Sequence, residues 1–130
     1  MRGQRRLFRL SFLLGFLLIS VPVYASEEVR LVGSEIRETL MDKTAISTDP
    51  DWPYRQYFQS DFTTIYAETG KRSSLGKWKT GNDLYCSLWA AADWECYQLW
   101  KTGKGIVWIA ELNAVRYPAR LVDGQQLLEK

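Results

Sequence analysis

The chain has 130 residues, with 17 Lys+Arg against 15 Asp+Glu, two cysteines, 14% aromatic residues and no histidine. That length suits one domain with a modest core. The missing histidine removes the commonest general base, the usual partner of a Ser or Cys nucleophile and the commonest metal ligand, so the sequence reads as non-catalytic.

The chain opens "MRGQRRLFRLSFLLGFLLISVPVYAS". Arg2, Arg5, Arg6 and Arg9 form a basic start, and Leu10 to Val23 is apolar apart from Ser11, Gly15, Ser20 and Pro22. Val23-Tyr24-Ala25 then places small residues where a signal peptidase reads. Residues 1–25 are therefore predicted to be a signal peptide cleaved after Ala25. The apolar run is shorter than the ~20 residues of a spanning helix, so no stable membrane anchor is expected after cleavage. Residues 1–25 hold four of the basic residues and none of the acidic ones, which leaves 13 against 15 in residues 26–130. That balance offers no basic footprint for nucleic acid. The expected product is one β-rich domain, 26–130, in the periplasm or secreted.

A short helix is predicted from Glu35 to Asp42, with Ser34 as N-cap and Ile36 and Leu40 on one face. Its narrow stripe suits a helix that plugs or covers a sheet. After the turn-rich "STDPDWP" at 47–53, the pattern changes to period two. "YRQYFQS", "FTTIYAET", "SSLGKWKT", "DLYCSLW", "DWECYQLWK" and "GIVWIAEL" alternate, separated by Glu68-Thr69-Gly70-Lys71, Thr80-Gly81-Asn82-Asp83 and Lys101-Thr102-Gly103-Lys104-Gly105. Such spacing predicts a mainly β fold, an antiparallel meander of about six to eight strands, open or closed into a small lipocalin-like barrel. "AVRYPARLVD" adds a last strand, which Pro118 places at an edge.

Cys86 and Cys96 allow one pairing, and an exported chain with an even count favours a disulfide. Folding "YCSLWAAADWECYQLW" as a hairpin sets Cys86 opposite Cys96 and Tyr85 opposite Tyr97. Zinc would need two further Cys or His ligands, so neither metal nor cofactor is expected. On this register Leu84, Cys86, Leu88, Trp94, Cys96 and Trp100 share the core face and continue to Ile106, Trp108 and Ala110. The other face carries Tyr85, Trp89, Tyr97, Leu99, Val107 and Ile109, more apolar than water favours, so the N-terminal helix, the last strand or a partner is expected to cover it.

Ser74-Leu75-Gly76-Lys77 matches the S-x-x-K of serine–lysine enzymes, but it lacks the helix start and companion motifs that chemistry needs. Gly76-Lys77-Trp78 is a G-x-W, read as a glycine giving close approach beside a core Trp. Trp78, Trp100 and Trp108 with Tyr66 could line an apolar pocket, and Tyr85, Trp89 and Tyr97 a contact surface, with Trp89 the leading contact residue.

"LVGSEIRETLMDKTA", then "GKWKTGNDLYCSLW" and "CYQLWKTGKGIVWI", resembles a group of small exported proteobacterial proteins of unknown function, over most of residues 30–112. The shared marks are a G-x-E-I helix, a G-x-W, a Gly-led C-x-x-W and a C-Y. The resemblance implies export, the disulfide and the meander, and carries no activity. The functional expectation is a non-catalytic envelope module that binds a protein or a small apolar ligand. The alternative is an inhibitor of a secreted or host hydrolase, for which "SEEVRLVG" and "STDPDWP" are the candidate arms.

Overall fold

Alternation between turn-forming clusters organises residues 43–123 into one antiparallel sheet that closes on itself. The computed structural model describes residues 17–22 and 27–128. The predicted cleavage site after Ala25 lies outside the described residues.

The strands in chain order are β1 (Val29–Arg30), β2 (Lys43–Ser47), β3 (Arg55–Phe58), β4 (Thr63–Ala67), β5 (Ser74–Gly81), β6 (Leu84–Leu88), β7 (Glu95–Thr102), β8 (Gly105–Ala110) and β9 (Arg116–Asp123), with one helix, α1 (Ser34–Leu40), after β1. Each strand from β2 to β9 pairs with its sequence neighbour, and β9 returns to β2 with Lys43 opposite Asp123 and Ser47 opposite Ala119. The result is a closed up-and-down barrel of eight strands, which leaves no raw edge among them. Strand β1 lies beside the second half of β7, where β6 has ended, with Arg30 opposite Trp100.

Turn chemistry follows the sequence closely. Asn82 and Asp83 both adopt left-handed backbone (φ 52° and 59°) between the paired Gly81 and Leu84, the two-residue turn that matches strand twist. Helix α1 starts at Ser34, and its cap is Gly33 instead of the expected Ser34. Gly33 takes φ 57° and gives its N–H to Asp83 Oδ1 at 2.9 Å, which fixes the helix start against the β5–β6 turn. Glu35 reaches back to accept from Val32 N–H at 3.0 Å.

Helix α1 plugs one end of the barrel. Ile36 and Leu40 are wholly buried among Leu31, Phe58, Trp78 and Leu99. Trp78 packs edge-on to Phe58 at 5.7 Å and donates its indole N–H to Gln59 O at 3.1 Å.

The expected faces need correction. The β6–β7 register is as predicted, with Tyr85 opposite Tyr97 and Cys86 opposite Cys96. Across β7–β8, however, Leu99 lies opposite Trp108 and Trp100 opposite Val107, one residue away from the expected alignment. The loop there is two residues, Gly103-Lys104, between the paired Thr102 and Gly105. A one-residue slip exchanges faces. The interior therefore carries Tyr85, Tyr97 and Leu99 together with Ile106 and Trp108. Cys86, Cys96 and Trp100 lie on the outside. The unexpectedly apolar second face of the hairpin is the inside of the barrel, covered by the opposite wall.

Two further differences concern the ends of the sheet. Strand β2 lies in a stretch with no strand signal, and it is the strand that closes the barrel. Strand β9 is not an edge, since it pairs with both β8 and β2. Pro118 is tolerated because its carbonyl accepts Thr48 N–H at 3.2 Å, so its ring nitrogen also faces the β2 side, just past the end of that strand.

Candidate functional site: an aromatic cavity at the open end

The end opposite α1 is framed by the loops at 48–54, 68–73, 89–94 and 111–115. No helix covers it. Here the barrel holds a cavity of about 640 Å³, within the ~300–1,000 Å³ typical of small-ligand sites.

Its floor is Gln56, Tyr85 and Trp108. Gln56 Nε2 donates to Thr64 Oγ1 at 3.0 Å and to the Tyr85 hydroxyl at 2.9 Å, so the interior polar groups are cross-linked. Burial pushes the Tyr85 hydroxyl well above its ordinary pKa. Trp108 is 4% exposed, and its indole N–H has no hydrogen-bond partner among the described residues. A buried donor in that condition costs free energy until an acceptor meets it.

The wall is built from rings at alternate positions of neighbouring strands. Tyr54 and Tyr66 stack at 5.3 Å, Tyr97 meets Tyr85 and Tyr117 at 6.1 Å each, and Trp52 lies edge-on to Tyr117 at 5.6 Å. Trp89 packs edge-on to Tyr66 at 6.0 Å. Gly76 makes that position of Trp89 possible, because a Cβ on Gly76 would stand 2.6 Å from the Trp89 ring and 2.8 Å from Leu88 O. The G-x-W glycine thus serves Trp89 and not its own neighbour Trp78.

The rim is polar. Trp52 Nε1 donates to the Tyr66 hydroxyl at 2.9 Å and to Glu68 Oε1 at 3.1 Å, and the Tyr66 hydroxyl donates to the same carboxylate oxygen at 2.8 Å. Lys71 pairs with the other oxygen. The Lys71 ammonium, then Tyr66 and Trp52, hold the Glu68 carboxyl at about 2. Across the mouth, Tyr97 donates to Glu95 Oε2 at 3.0 Å. Burial, reinforced by Glu95 for Tyr97 and by Glu68 for Tyr66, raises both hydroxyls well above their ordinary values. Tyr54 is raised by burial first and then by Tyr117.

Of the predicted aromatic residues, Tyr85, Trp89, Tyr97, Trp108 and Tyr66 line this one cavity. Trp78 does not, being core at the plugged end. Nor does Trp100, which lies on the outer face and donates to Gln98 Oε1 at 3.0 Å. Trp89 stands at the rim, far from α1, so it does not pack under the helix. The sequence reading missed Trp52, Tyr54 and Tyr117, which sit in "DWPY" and beside Pro118. Ser74 and Lys77 are three apart on β5 and point to opposite faces, so S-x-x-K forms no pair here. Among the described residues no group of three or more His, Cys, Asp or Glu could hold a metal ion. Cys86 and Cys96 are joined as a disulfide on the outside of the β6–β7 hairpin, below Trp89 and Glu95.

The chain matches no protein-family model, no curated protein and no solved structure. Function is therefore read from the geometry of the cavity itself.

Proposed function

We propose that the protein is an exported, non-catalytic binding module that takes a small ligand into the open end of its barrel. The observation that carries this reading is the aromatic cavity of about 640 Å³ at the open end of the barrel. Stability alone favours filling such a space, as the other end of the same barrel is filled. Aromatic walls give a large contact area with few rotors to freeze.

Export is supported by the basic and apolar N-terminal pattern and by the disulfide, which belongs to oxidising compartments. Residues 17–22 agree with it: they form no regular structure, and Leu17, Leu18, Ile19 and Val21 are all at least 76% exposed, so this apolar segment is no part of the barrel core. The pocket is favoured over the two arms of the inhibitor alternative because both are tied to the barrel: Leu31 N–H is bonded to Leu99 O at 2.8 Å beside the β1–β7 pair, and Trp52 of the 48–54 loop is bonded to Tyr66.

Native mass spectrometry of protein purified gently from envelope extract tests the reading. A bound small molecule that is lost in Trp89→Ala, with the variant still folded, supports it. A mass equal to the bare mature chain, together with no tryptophan fluorescence response to a chemically diverse small-molecule panel, overturns it.

A further inference from the structure

The charge pattern of the cavity restricts its ligand further, and this inference rests on the binding reading above. Among the described residues the charged side chains that line the cavity are Glu68 and Glu95, both acidic, and neither Lys nor Arg lines it. Glu68 is already neutralised by Lys71. Glu95 is not: among the described residues no ion pair reaches it, and its carboxylate accepts only the Tyr97 hydroxyl. The rings of Trp89, Tyr97 and Tyr117 line the same cavity, and aromatic faces attract cations and repel anions.

We infer that the cavity takes an organic cation whose ammonium group sits at the mouth, beside Glu95 and among the Trp89 and Tyr97 rings, with its apolar body in the aromatic interior. Free fatty acids, phosphates and other anions are excluded by the same arrangement, since no cation awaits them and the mouth is acidic.

Three probes of similar size separate the possibilities. Benzoylcholine has the quaternary ammonium and an ester carbonyl. The ester 3,3-dimethylbutyl benzoate has the same shape without the charge. Decanoate is an anion. Titration of the full mature protein, followed by tryptophan fluorescence, should give benzoylcholine an affinity at least about tenfold above the neutral ester, with no binding of decanoate. Glu95→Gln, at an exposed position, should reduce that preference to within about threefold.

Equal or tighter binding of the neutral ester or of decanoate overturns the cation assignment and leaves small-ligand capture standing. An unchanged preference in Glu95→Gln overturns the role of Glu95. Failure of every probe while another small molecule co-purifies removes the class alone. Failure of every probe with nothing co-purified removes the binding reading as well.

Discussion

The two ends of the barrel use the same residue types for different ends. At the plugged end Phe58 and Trp78 are closed over by Ile36 and Leu40, and the Trp78 N–H has its acceptor in Gln59 O. At the open end Trp52, Tyr54, Tyr97 and Tyr117 surround space, and Trp52 and Tyr97 turn their polar tips to Glu68 and Glu95. Aromatic content does not tell core from site. What distinguishes them is the element standing across the barrel, a helix on one side and only loops on the other.

This contrast can be broken by mutation. Trp78→Ala should cost about 3–5 kcal/mol, because the plugged end cannot collapse around the loss. Trp89→Ala, at the half-open rim, should cost about 1 kcal/mol or less by chemical denaturation and spend its effect on ligand capture. Similar losses at both positions would mean that the mouth is ordinary core. Reduction of Cys86–Cys96 should remove about 2–3 kcal/mol and lower the melting temperature by about 8–20 °C in calorimetry. Gly76→Ala comes next. A Cβ there must displace Trp89, so about 1–3 kcal/mol should be lost, with a blue or red shift of tryptophan emission showing that the rim has moved.

The smallest effects are protonic. The folded pKa of Glu68, about 2, lies below its ordinary 4.5, so the contribution of the Trp52–Tyr66–Glu68 cluster is fully present above pH 4.5 and is lost as pH falls towards 2. The Trp52 indole N–H resonance should stay fixed well below pH 4.5 and move only as pH approaches 2. For the tyrosines the sign is reversed. Tyr54, Tyr66, Tyr85 and Tyr97 are all raised, so stability should be retained up to the ordinary tyrosine value of 10.0 and decline above it, with the phenolate absorbance of these four appearing only as the barrel opens.

Much of this architecture is legible in the chain. Alternation and Gly, Asn and Asp turns give seven strands, and the cysteine pair gives the β6–β7 register. Two things were hidden for physical reasons. "KTAIS" has small residues that carry little period-two contrast, so β2 and with it closure went unread. The β7–β8 register depended on whether the loop in "KTGKG" holds two residues or three, and periodicity alone cannot count a loop. That single residue inverted the faces, which turned the lining residues Tyr85 and Tyr97 into an apparent outer surface. Tyr54 and Trp52 were masked by the prolines around them, whose turn signal is correct for the chain and silent about where the rings point.

The seam between β2 and β9 has a consequence for the order of assembly. Seven of the eight ladders join strands adjacent in sequence and can form as soon as each hairpin is available. The eighth joins Lys43 to Asp123, the first strand of the barrel to the last. Its loop-closure cost falls due only when the rest of the sheet exists. Until β9 emerges, whether from a ribosome or a membrane pore, β2 and β8 each present an open strand edge to any neighbouring chain. Chaperone dependence should therefore concentrate in that interval, and a chain stopped before Arg116 should aggregate where the full-length chain does not.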